Sequence, residues 1–257
     1  MDSLWLTCER PLNIAHRGAS AVAPQNTLAA FRRAAELGAD GIELDVRLSA
    51  DGVPVVIHDA VVDHTTDGTG RVADLPLAAL KELDAGSWFD PAFAGERIPT
   101  LDEVFEEIGD TLLINVELKP EKDRRIGEAV VRRVERHGLF DRVLLSSFDP
   151  FILRRVRRLT PHIPLGFLYE VAPLSRLARL LAWAMPDLRP EAVHPHWRLI
   201  RREVVHRAHS RGQRVIAWTV DAPDAMRHLI DWGVDGIITN HPDQLRKVLS
   251  QPHPEAR

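Results

Sequence analysis

Short runs of apolar residues alternate along this chain with longer stretches in which apolar residues recur every three or four positions. The short runs predict strands over 13–15, 41–47, 112–119, 142–147, 165–168, 192–194, 214–219 and 236–238. The longer stretches predict helices over 27–37, 101–108, 122–137, 150–159, 173–185, 201–211, 223–231 and 242–250. Several of these helices open on proline, whose missing N–H costs nothing at the first helical position. Several close near a glycine (Gly38, Gly138, Gly212, Gly233) that suits a left-handed cap. Eight strands alternating with eight helices imply a parallel sheet. At 257 residues the first choice is an α/β fold of the (β/α)8 TIM barrel type, and a doubly wound open sheet is the second. Residues 1–257 read as one domain. The segment from about 60 to 100, rich in Asp, Gly and Pro, stands outside the alternation. It is expected to be a small insertion in the loop after the second-strand hairpin, on the face where barrel enzymes build their sites.

Two predicted strands break the rule that a helix-covered parallel strand is continuously apolar. In 41–47, Glu43, Asp45 and Arg47 share one face while Ile42, Leu44 and Val46 share the other. In 112–119, Asn115, Glu117 and Lys119 oppose Leu112, Ile114, Val116 and Leu118. A surface strand with one solvated face is the bland explanation. Two strands with the same defect favour acids on an inner face, which are costly there unless paired or bound to a cation.

The dipeptide Asp51-Gly52, between an alternating run and an apolar one, is a hairpin signal. Taken as a two-residue loop, it places Asp45 opposite His58 and brings His58 to the level of the acids. The first strand ends in His16-Arg17-Gly18. Arg supplies a fork for phosphate and His titrates near neutrality, although a buried structural histidine would explain the triplet equally well. Glu43, Asp45 and Glu117, with no cysteine nearby, make a hard oxygen site that prefers Mg²⁺, Ca²⁺ or Mn²⁺ to zinc. Two histidines, an arginine and a lysine around such a cation point to phosphoryl chemistry.

These residues resemble the glycerophosphodiester phosphodiesterase family. The resemblance rests on His16-Arg17-Gly18, Pro24-Gln25-Asn26-Thr27 with Ala30-Phe31, Glu43-Leu44-Asp45-Val46, His58-Asp59 and Val116-Glu117-Leu118-Lys119. It continues through Ser147-Phe148, Trp218-Thr219-Val220 and the stretch from Gly233 to Thr239, in the family's order over nearly the whole chain. It implies a TIM barrel of the phospholipase-C-like phosphodiesterase type. It implies that Glu43, Asp45 and Glu117 bind one divalent cation, Mg²⁺, Ca²⁺ or Mn²⁺, and that His16 and His58 are the acid–base pair. Arg17 and Lys119 would hold phosphate oxygens, and Trp218 would pack on the substrate's glycerol part. Gln25 and Asn26 would act from behind the site. The family usually has Glu where Gln25 stands, and Thr-Asp with a following Pro where this chain has Thr239-Asn240-His241-Pro242. Gln25 is expected to hold Arg17 rather than to ligate the metal, since an amide oxygen still accepts a hydrogen bond.

The implied reaction is hydrolysis of a small glycerophosphodiester to sn-glycerol 3-phosphate and an alcohol, through a cyclic phosphate. Competing readings are the same chemistry on lysophospholipids, a catalytically silent phosphodiester-binding barrel, and a zinc amidohydrolase built on His194 and His196. The apolar stretch 174–185, with Arg176 and Arg179, suits either a membrane surface or, more simply, a barrel helix.

Composition narrows the class. Hydrophobic residues at 45% and charged residues at 27% exclude a disordered chain. With 33 basic and 37 acidic residues the net charge of −4 provides no overall basic field for nucleic acid. The one cysteine, Cys8, excludes an internal disulfide framework and fits a reducing compartment. No apolar run is long enough to span a bilayer, and the first ten residues do not read as a signal peptide. A cytoplasmic protein without stable membrane insertion is expected, and its oligomeric state is open.

Overall fold

The computed structural model describes residues 3–120, 125–170 and 185–251. Its strands are β1 (Leu12–His16), β2 (Gly41–Leu48), β3 (Pro54–Val56), β4 (Leu113–Leu118), β5 (Val143–Ser147), β6 (Leu165–Tyr169), β7 (Ala192–Pro195), β8 (Arg214–Ala217) and β9 (Gly236–Thr239). Neighbours run β1-β9-β8-β7-β6-β5-β4-β2, and parallel pairing of β1 with β2 closes the ring. The fold is therefore a (β/α)8 TIM barrel, with β3 as an antiparallel flap on β2.

The intervening helices form where the sequence punctuates them. Thr100 and Glu103 make a reciprocal capping box at the start of Leu101–Ile108. Asp149 caps Pro150–Leu159, which has proline at its first turn. Gly138, at φ 67°, closes Ile126–His137 in the left-handed conformation that glycine adopts freely. The predicted helix over 173–185, with the stretch weighed as a membrane surface, falls almost wholly outside the described residues, as does the start of the one over 122–137.

Strand alternation sorts the core into two compartments. Outward residues such as Ile42, Leu44, Val46, Ile114, Val116 and Leu118 pack against Phe31, Leu101, Val104 and Val130 of the helices. Inward residues form a separate cluster of Leu12, Ile14, Leu113, Leu144, Ala192, Ile216 and Ile238. Trp5 plugs that end of the barrel and donates its indole N–H to the Arg142 carbonyl at 2.7 Å. Further along the same inner face the residues turn polar: Glu43, Asn115, Ser146 and His194 are all buried.

The hairpin register differs from the one expected. Val46 pairs with Val56 and Leu48 with Pro54, so Asp45 lies opposite Ile57, whose N–H donates to the Asp45 carbonyl at 2.9 Å. The loop has three residues, not two. Gly52 takes φ 77°, and its N–H returns to the Ser49 carbonyl at 2.9 Å. The Ser49 hydroxyl fixes the turn by donating to Asp51 Oδ1 at 2.6 Å. A turn closed by one left-handed glycine adds a residue, and the pairing slips by one.

Beyond β3 the chain builds a small lobe with the helix Leu77–Glu82. Val55, Ile57, Val62, Val72, Leu80, Ala85 and Ile98 form a hydrophobic cluster of its own.

His194 tests how the barrel tolerates its polar interior. It is fully buried, and neither ring nitrogen has a hydrogen-bond partner among the described residues. Gly166 makes room for it; a Cβ there would sit 2.5 Å from His194 Nε2. Burial lowers the pKa to about 3, so the ring is neutral in the folded protein. Below about pH 6.5 the unfolded chain takes up a proton that the folded chain refuses, so stability falls with pH until about 3. Between pH 7 and pH 5 this amounts to about 2 kcal/mol. Denaturant titrations at the two pH values should show a smaller acid loss in His194→Gln than in wild type. Equal losses would show that His194 is not the group responsible.

Candidate active site

The site grows from two strained turns. Past the end of β1, Arg17 holds φ 55°, followed by Gly18 at φ 81°, and Asn26 holds φ 58°. Non-glycine residues seldom adopt this conformation, and they do so mostly where the surroundings enforce it. A Cβ at Gly18 would stand 2.7 Å from backbone of Ala30, so only glycine lets the helix Leu28–Glu36 pack onto the turn. The Asn26 N–H donates to the Arg17 carbonyl at 2.9 Å and locks the two turns together.

Register then gathers the acids. β2 and β4 pair Glu43 with Asn115 and Asp45 with Glu117. Glu43, Asp45 and Glu117 each offer an oxygen within 4.8 Å of the others, and all three are buried. Lys119 Nζ lies 2.8 Å from Asp45 Oδ1 and 2.6 Å from Glu117 Oε1. Arg17 Nε lies 3.2 Å from Asp45 Oδ2, and the Arg17 backbone N–H donates to Glu43 Oε2 at 3.1 Å. Asn26 clamps Asp45, donating from Nδ2 to Oδ2 at 2.9 Å and accepting the Asp45 N–H at 3.3 Å. Gln25 accepts from Arg17 at 2.9 Å, the contact expected of it.

The acids share one field but titrate apart. Burial pushes Glu43 well above the usual carboxylate range, and the charges of Asp45 and Glu117 push it further. Burial likewise raises Glu117, against the pull of Lys119. Burial opposes ionisation of Asp45 too, but Lys119 and Arg17 outweigh it and hold the group well below its ordinary value. Lys119 is raised because the two acids overcome its own burial.

His16 touches this cluster, and His58 stands close enough to feel the charges of Asp45, Lys119 and Arg17. His16 Nε2 is 3.9 Å from Glu43 Oε2. Burial, with Arg17 nearby, lowers His16 to about 4. His58 arrives despite the slipped register, because the chain leaves the β ladder after Ile57. Arg47 Nε donates to the His58 carbonyl at 2.9 Å. Burial lowers the His58 pKa, partly offset by the charge of Asp45. Trp218 lines a small cavity together with His16, Glu43, Asn115, Glu117 and Ser146. Its indole N–H donates to the His194 carbonyl at 2.7 Å, and its ring meets Phe148 and His196 edge-on.

The known proteins to which this chain is similar agree with one another. Residues 16–244 match the Glycerophosphoryl diester phosphodiesterase family. The chain belongs to that family. A glycerophosphodiester phosphodiesterase from Caldanaerobacter subterraneus subsp. tengcongensis is 45% identical over 92% of this chain and 96% of its own. One from Bacillus subtilis is 34% identical over 95% and 88%. Among solved structures, an Oleispira antarctica phosphodiesterase in complex with the product sn-glycerol-3-phosphate superposes with TM-score 0.84. It is 34% identical and covers 93% of this chain and 96% of its own. The chain is thus a phosphodiesterase, a hydrolase on a barrel whose acids can hold a divalent cation.

The zinc amidohydrolase reading fails on this geometry. His194 is sealed inside the barrel while His196 caps the short turn Trp197–Leu199. Among the described residues the only group of three close metal-ligating side chains is Glu43, Asp45 and Glu117.

Sequence reasoning gave no role to Asn240, which it marked only as a departure from the family pattern, and it missed Asp221. Asn240, just past β9, stands 2.7 Å from His16 Nδ1 through Oδ1. That oxygen also accepts from the Ser20 hydroxyl at 2.8 Å. Asp221, past β8, accepts from Asn240 Nδ2 at 2.7 Å and from the Asn240 N–H at 2.9 Å, and so fixes which end of the amide faces the imidazole. An amide oxygen can only accept, so His16 carries its proton on Nδ1 and presents a bare Nε2. The one signal was a polar residue at the end of each of two more barrel strands, which does not say what either would touch. Asn240→Leu should lower kcat about tenfold or more, the scale of lost support behind a working side chain. Cation affinity, measured by titration, should stay within about threefold, because Asn240 touches no acid of the cluster. Unchanged kcat would show that the imidazole needs no such anchor.

Proposed function

We propose that this chain hydrolyses glycerophosphodiesters such as glycerophosphocholine or glycerophosphoethanolamine to sn-glycerol 3-phosphate and an alcohol. The observation that carries the reading is a buried acid cluster flanked by two imidazoles at one end of a barrel. The product complex of the Oleispira antarctica relative supports it.

The cluster fits a divalent cation. Three buried carboxylates face two fixed cations, Arg17 and Lys119, so one negative charge is left over. A divalent ion and the single negative charge of a phosphodiester would bring the whole to neutrality. Glu43, Asp45 and Glu117 would hold the ion, and their oxygen donors suit Mg²⁺, Ca²⁺ or Mn²⁺. When bound, such an ion polarises phosphoryl oxygens and shields their charge.

The chain's own groups then supply positioning and proton transfer. Arg17 and Lys119 shift part of their hydrogen bonding from the acids to phosphate oxygens, and Trp218 packs against the glycerol. The glycerol 2-hydroxyl attacks phosphorus. His16 Nε2 takes its proton, a role open to it because Asn240 occupies Nδ1. His58, entering as the imidazolium, protonates the leaving alcohol oxygen as the phosphorus–oxygen bond to it breaks. Water opens the cyclic phosphate with the roles reversed: His58 accepts the water proton and His16 returns one to the 2-oxygen. Holding the hydroxyl beside phosphorus makes the attack intramolecular, which supplies much of the rate. We place the reaction in the cytoplasm, supported by the single cysteine. Among the described residues no helix is long and apolar enough to cross a membrane.

The test is release of glycerol 3-phosphate from glycerophosphocholine, with chelator, with Mg²⁺, Mn²⁺ or Ca²⁺ restored, and with an ethylene-glycol analogue lacking the 2-hydroxyl. Chelation should abolish release, an added ion should restore it, and the analogue should turn over poorly. His16→Ala and His58→Ala should each lose about 10²–10⁴-fold. Full activity in excess chelator, or equal turnover of the analogue, would contradict the reading. No release under any condition would leave a phosphodiester-binding barrel.

A further inference from the structure

Asp59 is shared between two imidazoles. Its Oδ1 lies 2.8 Å from His58 Nδ1 and its Oδ2 lies 2.9 Å from His64 Nδ1. Burial is the largest single influence and favours the protonated acid, but the hydrogen bonds and charges of both rings together outweigh it and hold Asp59 below its ordinary value, as a carboxylate. A carboxylate only accepts, so both Nδ1 atoms carry hydrogen. His58 is left with Nε2 as its exchanging atom. His64 is the outermost of the three at 68% side-chain exposure, while Asp59 and His58 are about equally covered at 30% and 33%.

His64 is not a stray surface group, because the inserted lobe builds its turn. Val62 is buried in the lobe's cluster, and its N–H donates to the Gly70 carbonyl at 2.9 Å. The Gly70 N–H donates to Asp63 Oδ2 at 2.9 Å, and the Thr66 hydroxyl donates to the Val62 carbonyl at 2.8 Å. These bonds hold residues on both sides of His64 while its ring points at Asp59. A carboxylate held by one imidazole alone is free to turn toward water; held by two, it has one orientation.

We propose that His64 is a positioning residue for the leaving-group acid: through Asp59 it fixes the ring of His58, so that the lobe tunes this enzyme for unactivated alcohol leaving groups. The proposal rests on the reading of His58 as the group that protonates the leaving alcohol. A basic aliphatic alkoxide, as from choline or ethanolamine, needs that proton. A nitrophenolate leaves without it. Damage to His64 should therefore appear with the first kind of ester and vanish with the second, which loss of folding would not do.

The experiment compares glycerophosphocholine with the p-nitrophenyl ester of glycerol 3-phosphate, using cation-loaded wild type, His64→Ala, His64→Asn and His58→Ala. His64→Ala should lose up to about fivefold in kcat on the choline ester, the ceiling for a partly exposed ion pair, and less than about twofold on the nitrophenyl ester. His64→Asn should stay within about twofold of wild type on both, since its Nδ2 occupies the place of the imidazole Nδ1 and donates to Asp59. His58→Ala should lose far more on the choline ester than on the nitrophenyl ester. If His58→Ala is selective but His64→Ala loses equally on both esters, or on neither, the role of His64 is refuted while the acid assignment stands. If His58→Ala is not selective, the acid assignment fails and takes the role of His64 with it.

Discussion

Three carboxylates converge in a space of low dielectric with only two cationic side chains to balance them. Water cannot screen Glu43, Asp45 and Glu117 there, and their mutual repulsion is strong at separations under 5 Å. The local structure reads as a response to that charge. Lys119 bridges Asp45 and Glu117, Arg17 lies against Asp45, and the Arg17 backbone N–H reaches Glu43. Asp45 is stabilised as an anion while Glu43 and Glu117 are not. Such an imbalance is the mark of a site arranged for a further positive charge rather than for stability alone. Burying unpaired charge weakens the free protein, and the apolar compartments on either side of the strands carry that load.

The same constraint accounts for the strained backbone. To bring Arg17 and Asn26 against Asp45 the chain accepts left-handed φ at both. Each strained residue costs about 1–3 kcal/mol and persists only where surrounding contacts enforce it. The Asn26–Asp45 clamp and the Gly18–Ala30 approach are those contacts. The histidines are oriented by a second set of groups, drawn from far along the chain: Asn240 with Asp221 for His16, and Asp59 with His64 for His58.

Much of this was legible in the sequence because alternation transmits directly to geometry. Glu43 and Asp45 in one strand and Glu117 in another could meet only if the two strands were neighbours facing inward, and β2 and β4 are. The hairpin register was not legible, since Asp51-Gly52 serves equally in a two-residue loop or as the close of a three-residue one; the Ser49–Asp51 bond decides it. The partnership of Lys119 with two acids was hidden as well, for a lysine at a strand end suits phosphate or carboxylate alike. Asn240 reads locally as the approach to a proline-led helix. Its role lies in a contact with His16 across 224 positions, which no local pattern encodes.

Glu43, Asp45 and Glu117 thus make a preorganised site that can hold a divalent cation, at an electrostatic cost to the protein alone. Glu43 is the most telling position, because among the described residues its carboxylate has neither Lys119 nor the Arg17 guanidinium as a direct partner. The measurement is thermal unfolding of wild type and Glu43→Gln, stripped of cations and then titrated with Mn²⁺ at pH 7. Stripped Glu43→Gln should melt above stripped wild type, since a buried acid that repels Asp45 and Glu117 is gone. Mn²⁺ should raise the Tm of wild type as one ion binds, and the variant should need at least about tenfold more. A stripped variant no more stable than wild type, with the same Mn²⁺ response in both, would show that Glu43 neither repels its neighbours nor holds the ion.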